Sequence, residues 1–155
     1  NLGCALSFEP GRYIVADAGV LLSRVLHVKE GVTHRFLVVD AAMTDLIRPA
    51  LYQAYHGIKP VKEAPPLAEL VKADVVGPVC ESGDCFAEDR LLPPLAAGDL
   101  VVFETTGAYG AAMASTYNSR PLVPEVLVDG QRWAVIRPRV EVEQQIAWEH
   151  LPEWV

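Results

Sequence analysis

Three short polar clusters contain the side chains that could do chemistry. They are E-P-G-R at residues 9–12, C-E-S-G-D at 80–84 and G-A-Y-G at 107–110. Each falls where a predicted strand should end, and loops at the ends of rigid elements commonly carry functional groups. The first cluster offers a carboxylate and a guanidinium, the second a thiol among carboxylates, and the third a phenol beside glycines.

Each cluster also has a purely structural interpretation. Glu9 and Arg12 are compatible with a surface ion pair around a turn, which contributes little to stability. A free cysteine is often a small buried hydrophobic residue, and this interpretation is favoured for Cys85. Cys80 differs because the acceptors and the flexible turn of E-S-G-D follow it, a setting that suits a thiol exchanging protons on a loop.

Tyr109 lies near glycines after a predicted strand. A ligand could approach the backbone there, and the phenol could donate to a phosphate or stack on a planar ring. Alternatively, and with equal weight, Tyr109 is an aromatic residue at a turn that covers the edge of the core. The histidines, at positions 27, 34, 56 and 150, have no metal-ligand spacing, so the sequence predicts no metal site.

The composition limits the partners that the chain could bind. Its 155 residues include 13 Lys and Arg against 20 Asp and Glu, which gives a formal net charge of -7. This balance argues against nucleic acid and anionic membrane surfaces, and no apolar run reaches the roughly 18 residues of a membrane helix. Three cysteines fit neither a disulfide framework nor a four-ligand zinc site, so we expect a reducing compartment, the cytoplasm.

Short strands separated by turns dominate the hydrophobic pattern. Alternating and β-branched residues predict strands over 19–30, 33–41, 69–79, 100–105, 123–128 and 131–136. Asp129 and Gly130 join the last pair, and this dipeptide tolerates the positive φ angles of a two-residue hairpin turn. Helical signal is limited to 45–55, which Pro49 interrupts, and to 141–150. The pattern predicts a mainly β fold, a small barrel or sandwich.

Five segments in order resemble the C-terminal part of the fold-type III pyridoxal phosphate-dependent decarboxylases. They are S-F-E-P-G-R (7–12), D-A-A-M-T-D-L-I-R-P-A-L-Y (40–52), G-P-V-C-E-S-G-D (77–84), G-A-Y-G-A-A-M-A-S-T-Y-N (107–118) and R-P-L-V-P-E-V-L-V-D-G (120–130). Together they cover nearly the whole chain. R-P-A-L-Y is most similar to the branch of the family that acts on meso-2,6-diaminopimelate, because it resembles the part that holds the distal end of the substrate.

The resemblance implies a fold, an assembly and a reaction. Residues 1–18 look like the end of a cofactor-binding TIM-like barrel, including its last strand. Residues 19–155 look like the C-terminal β-barrel domain with a short terminal helix. The implied enzyme is a homodimer with shared active sites that uses pyridoxal 5'-phosphate. It converts meso-diaminopimelate to L-lysine and carbon dioxide in lysine biosynthesis.

Roles for the cofactor-binding residues follow from the same resemblance. Glu9 is similar to the acid that hydrogen-bonds the pyridine nitrogen and keeps it protonated. Pro10, Gly11 and Arg12 belong to the stretch that approaches the cofactor. Tyr109 matches a residue that touches both cofactor and substrate.

Roles in substrate binding and proton transfer are implied in the same way. The substrate contacts would be Arg12, Arg48, Tyr52, Glu81 and Tyr109. Arg48 could hold a carboxylate through two parallel hydrogen bonds. Cys80 matches the proton donor and Glu81 a group that binds the distal amino group, both supplied to the neighbouring subunit's site.

A part of the implied active site is missing from these motifs. The resemblance implies that the lysine binding the cofactor covalently belongs to the N-terminal TIM-like barrel, and no lysine of this chain lies in a motif. We therefore expect the 155-residue chain to be inactive alone, as a fragment of the enzyme. Two alternatives stay open: a decarboxylase of another basic amino acid, such as ornithine or arginine, and a non-catalytic β-barrel module for binding or assembly.

Overall fold

The computed structural model describes residues 3–155, which are mainly β-strands. The strands are β1 (Leu21–Glu30), β2 (Arg35–Val39), β3 (Ile58–Pro60), β4 (Val71–Val76), β5 (Cys85–Leu92), β6 (Leu100–Phe103), β7 (Glu125–Asp129) and β8 (Arg132–Arg137). The α-helices are α1 (Arg48–Tyr52) and α2 (Val142–Ile146), and 3₁₀-helices occupy Gly11–Ile14, Ala16–Ala18, Ala111–Met113 and Tyr117–Ser119. In this described part, no helix has the length and hydropathy needed to cross a membrane.

Strand β1 connects the two halves of a six-stranded sheet, whose order is β3-β6-β1-β2-β4-β5. Its first residues pair antiparallel with β6, where Leu21 is opposite Phe103, and its later residues pair antiparallel with β2. The register shifts between Val25 and His27. Such an irregularity bends a strand and increases its twist, so β1 can change partner and the sheet can curve.

The sheet curls around a common core, because strands that are distant in its order meet inside it. Phe86 of the edge strand β5 packs against Phe103 of β6, with ring centroids 4.5 Å apart. Almost completely buried valines from four strands surround this pair: Val25, Val39, Val75 and Val101. Burial of each such side chain contributes roughly 1.5–3 kcal/mol. This barrel-like sheet confirms the predicted mainly β fold.

Most of the predicted strands are present. The hairpin predicted at Asp129 and Gly130 is β7–β8, and Gly130 has the positive φ of 59° that its turn needs. The segments predicted over 19–30, 33–41, 69–79 and 100–105 contain β1, β2, β4 and β6. The sequence pattern missed β3, which has three residues, and β5, whose alternation is interrupted at Asp89 with φ 49°.

The two predicted helices are shorter in the structure. The segment 45–55 contains only α1, because Pro49 fits the first helical turn and Gln53, with φ 53°, ends the helix in the left-handed conformation. The segment 141–150 contains α2. Glu141 and Gln144 form a reciprocal capping box at its start.

The segment before β1 makes no ladder with a strand of the described chain. Residues 5–10 have no regular secondary structure, and two short 3₁₀-helices follow them. The expectation that residues 1–18 end a preceding TIM-like barrel stays a prediction. Its first two residues, Asn1 and Leu2, lie outside the described part.

The β7–β8 hairpin forms a separate two-stranded sheet with apolar side chains exposed on both faces. Each of the following is more than half exposed: Leu127, Val128, Trp133, Val135 and Ile136. A two-stranded ribbon is marginally stable alone, and contiguous exposed apolar surface commonly marks an interaction site. Burial of this hairpin against another protein surface would therefore stabilise it.

We expect the purified 155-residue chain to self-associate through this hairpin. Sedimentation velocity over a range of concentrations measures the association. Val135→Lys should weaken it, because a charge then lies in the apolar surface, whereas Val32→Lys, at a fully exposed valine between β1 and β2, should not. A monomer at high concentration would contradict the prediction.

Candidate active site

Two arginines and two tyrosines from three parts of the chain converge on one open cleft. Arg12 comes from the first 3₁₀-helix, Arg48 and Tyr52 come from α1, and Tyr109 comes from the loop after β6. The cleft has a volume of about 560 Å³. The guanidinium carbon of Arg48 lies 5.5 Å from the ring centre of Tyr109 and 5.8 Å from that of Tyr52. Both distances are within the range of cation–π attraction.

Helix α1 presents Arg48 and Tyr52 together because they are four residues apart. Residues at this spacing lie on the same face of a helix. Pro49 is tolerated because the N–H that it lacks would have no intrahelical acceptor in the first turn. R-P-A-L-Y thus places one cation and one phenol side by side.

Close backbone packing places Tyr109 beside the E-P-G-R turn. Gly107 donates its N–H to the Ala16 carbonyl at 2.9 Å, and a Cβ at this position would collide with the Val15 carbonyl oxygen. Only glycine fits such an approach. The backbone of Tyr109 is left-handed, with φ 60°, and its hydroxyl lies 3.7 Å from where a Cβ on Gly11 would be.

The cleft carries positive charge that the described residues do not neutralise. Neither Arg12 nor Arg48 has a carboxylate within ion-pair distance in residues 3–155, whereas Arg35, for example, is paired with Glu30 at 2.7 Å. Guanidinium groups bind carboxylates and phosphates through paired N–H donors. This donor set, with two phenols, fits an anionic ligand. The described residues contain no group of three or more side chains arranged to hold a metal ion.

A largely buried loop, residues 40–47, connects β2 to α1 and holds the helix in place. Three consecutive amides in it donate to side-chain acceptors: Ala41 to Ser23 Oγ at 3.0 Å, Ala42 to Asp45 Oδ2 at 2.8 Å and Met43 to Asp84 Oδ1 at 2.6 Å. A buried amide without an acceptor costs free energy. These acceptors therefore define the conformation of the loop and the direction in which α1 leaves it.

Arg120 fastens the segment after Ala111–Met113 to the same loop. Its Nη2 donates to the Asp40 carbonyl at 2.8 Å and to Asp45 Oδ2 at 3.4 Å, and its Nε donates to Thr44 Oγ1 at 3.2 Å. Burial raises the pKa of Asp45 above its usual 3.8, although the backbone hydrogen bond from residue 42 and the charge of Arg120 oppose this shift.

The predicted proton donor lies outside the cleft. Cys80 and Glu81 are exposed on the loop between β4 and β5, and neither lines the cleft. One Glu81 carboxylate oxygen accepts a bond from the Gly83 amide at 3.3 Å. The structure therefore gathers four of the predicted site residues, namely Arg12, Arg48, Tyr52 and Tyr109, and leaves the thiol and its neighbouring carboxylate directed to another surface.

The other predicted cofactor residues precede Arg12 on an exposed segment. Glu9 and Pro10 are exposed, and Gly11 has the left-handed φ of 54°. They adjoin the cleft through Arg12 but do not line it. Their roles in cofactor binding stay predictions.

Sequence reasoning missed three buried or half-buried polar residues that fix these loops, namely Asp45, Asp84 and Arg120. All three lie within the motif segments, and this position in the sequence is a signal that could have indicated them. The contacts that join separate segments are not local, however: Asp84 contacts a residue 41 positions away and Arg120 one 76 positions away. No local spacing pattern indicates such pairs.

Comparison with known families gives one match to a domain model. Residues 12–107 match the model of the C-terminal sheet domain of pyridoxal-dependent decarboxylases. The match begins at Arg12 and ends at Gly107, so it covers more than half of the chain. It includes strands β1 to β6.

Individual relatives show the same similarity. The chain is 54% identical to a diaminopimelate decarboxylase of Zymomonas mobilis over 152 residues, which are 98% of this chain and 35% of the relative. The crystal structure of diaminopimelate decarboxylase from Helicobacter pylori complexed with L-lysine is similar with a TM-score of 0.83 and 45% identity, over 90% of this chain and 34% of that one. The structure of the enzyme from m. jannaschii, also complexed with L-lysine, is similar with a TM-score of 0.86 and 38% identity, over 92% of this chain and 32% of that one. The chain thus spans about a third of the length of these relatives.

Proposed function

This chain belongs to the pyridoxal-dependent decarboxylases, whose C-terminal sheet domain it contains, and from this premise we propose that it is the carboxy-terminal part of a diaminopimelate decarboxylase. The complete enzyme would remove carbon dioxide from the D-configured carbon of meso-diaminopimelate and release L-lysine. Support comes from relatives of that name at 54% and 45% identity and from the cationic cleft.

The observation that carries this proposal is a pair of guanidinium groups, beside two phenols, that no carboxylate of the described residues neutralises. The end of meso-diaminopimelate that does not react bears an ammonium and a carboxylate, and L-lysine keeps both groups. We propose that Arg48 binds this carboxylate through two parallel N–H donors. Tyr52, on the same helical face, would donate or stack alongside it.

The cofactor of this family supplies an electron sink for the charge left by loss of carbon dioxide. We propose that Glu9 binds the pyridine nitrogen and that Tyr109 contacts the cofactor and the substrate. The cations and phenols of the cleft fit a ligand that carries phosphate or carboxylate. The covalent anchor of the cofactor would come from the N-terminal part of the complete enzyme, which would make the 155-residue chain inactive alone.

Cys80 suits the delivery of a proton across a subunit interface. Its thiol is exposed on a loop outside the cleft of its own chain, so a second subunit could bring its own cleft against it. We propose a homodimer in which Cys80 protonates the reacting carbon in the partner's site. Glu81, the next residue, would bind the distal ammonium of the substrate there.

A substrate comparison with the complete protein tests the proposed reaction. We expect lysine and carbon dioxide from meso-diaminopimelate, with kcat/KM larger than for L-ornithine or L-arginine, because these two lack the distal carboxylate. The 155-residue chain alone should form no lysine. Turnover of ornithine or arginine in preference to meso-diaminopimelate, with cofactor bound, would refute the assignment.

Arg48→Lys in the complete enzyme tests the carboxylate contact. We expect KM for meso-diaminopimelate to rise more than kcat falls, because a planar pair of donors becomes a single point charge. Arg35→Lys, in an ion pair with Glu30, is the matched control and should leave both parameters unchanged. An unchanged KM in Arg48→Lys would show that this side chain does not bind the substrate.

Cys80→Ala tests proton delivery across the interface. We expect cofactor absorbance and folding to be retained and kcat to fall by roughly 10²–10⁴, the usual contribution of a positioned proton donor. Mixing this variant equally with a subunit inactivated at the cofactor-binding lysine should restore about one quarter of wild-type activity, because half of the dimers are mixed and each has one intact site. No recovery, with mixed dimers present, would mean that the thiol does not serve the partner.

A further inference from the structure

Asp84, the last residue of C-E-S-G-D, is a buried carboxylate whose two oxygens both accept backbone hydrogen bonds. Its exposed fraction is 4%. Oδ2 accepts the N–H of Val79 at 2.7 Å, and Oδ1 accepts the N–H of Met43 at 2.6 Å. Bonds to an ionised acceptor are short and roughly twice as strong as those between neutral groups. One side chain thus joins the residue before Cys80 to the buried loop that leads into α1.

The remaining hydrogen bonds of the Cys80 loop are local. In the described chain, they stay within residues 79–85 or join the two ends of the loop, as when Gly77, just after β4, donates to the Asp84 carbonyl at 2.9 Å. The bond from Met43 is therefore the polar tie between this loop and the segment that presents Arg48. Without it, the loop keeps its own turns but loses its hydrogen-bonded attachment to loop 40–47.

The glycine at position 77 leaves room for this carboxylate. A Cβ at Gly77 would collide with both Asp84 oxygens, although the φ of Gly77 is outside the left-handed region. Glycine is thus needed here for space rather than for backbone conformation. Any larger residue would push the carboxylate away from its amide donors.

We propose that Asp84 is a positioning residue that fixes the Cys80 loop to loop 40–47 of its own subunit and so holds the thiol in place for the partner's site. The inference rests on the proposed function of Cys80 as proton donor. A proton donor is effective only within hydrogen-bond reach of the atom that it protonates. Displacement by about 1 Å can cost up to about 100-fold in rate. The two hydrogen bonds that Asp84 accepts from backbone amides therefore act on kcat through Cys80.

Two variants of the complete enzyme, Asp84→Asn and Gly77→Ala, remove this tie in different ways. Asp84→Asn replaces one acceptor oxygen with an NH₂ donor that faces an amide N–H. Gly77→Ala keeps the carboxylate but displaces it. Both should lower kcat roughly 10–100-fold and leave cofactor affinity within about twofold, while KM for the substrate rises by a smaller factor than kcat falls, because Glu81 lies on the same loop as Cys80. Hydrogen exchange at the amides of Met43 and Val79 should accelerate in both.

The matched control is Asp74→Asn. Asp74 is a buried aspartate on β4 that also accepts a backbone bond, from Asp89 at 2.8 Å, and it pairs with His34. A general loss of stability would affect the control as much as the two test variants. We expect the control to keep wild-type kcat.

A double-mutant cycle with Cys80→Ala separates positioning of the thiol from other effects. Once the thiol is absent, Asp84→Asn should lower kcat by less than about twofold further, because its action passes through Cys80. Multiplicative effects in the double variant would overturn the inference. If Cys80→Ala is impaired but both single variants at 84 and 77 are normal, only the positioning role fails; if Cys80→Ala itself is normal, the proposed proton donor fails as well.

Discussion

The arrangement of the site depends on three consecutive amides, those of residues 41–43, which are buried or half-buried and donate to side chains rather than to the carbonyls of a neighbouring strand. Their acceptors are Ser23, Asp45 and Asp84, which come from a strand, from the loop itself and from the loop of the predicted proton donor. Because leaving any of these amides unpaired costs on the order of 1–3 kcal/mol, the loop has one favoured conformation. Helix α1, with the cation and phenol that it presents, begins directly after this loop.

The same loop links the other functional segments. Arg120 attaches the chain after Tyr109 through bonds to the Asp40 carbonyl and to Thr44, while the packing of Gly107 against Ala16 brings Tyr109 to the E-P-G-R turn. Among residues 3–155, the resulting cleft leaves two guanidinium groups without carboxylates. Unneutralised charge adds little to folding, but it provides ready donors for an anionic ligand. This arrangement suits a domain that completes a binding site rather than one that only supports the fold.

Local patterns predicted the parts of the fold that depend on local chemistry. Asp129 and Gly130 specified the β7–β8 turn, and alternation located β1, β2, β4 and β6. β3 was missed because it ends in a proline after only three residues, and β5 because the left-handed residue Asp89 breaks its alternation. The motifs identified the residues that meet in the cleft, since R-P-A-L-Y and G-A-Y-G supply Arg48, Tyr52 and Tyr109. The positioning role of Arg120 required the tertiary structure, because its partners lie about 75 residues earlier in the chain.

The most direct test of the central claim is a crystal structure of the complete protein with L-lysine bound. We expect the carboxylate of the ligand to lie against the Arg48 guanidinium, between the rings of Tyr52 and Tyr109. Cys80 of the partner subunit should approach the other end of the ligand, and Glu81 of the partner subunit should approach the ammonium beside that carboxylate. Lysine bound away from Arg48, or a Cys80 loop that faces solvent in the assembled protein, would refute the proposed roles of these residues.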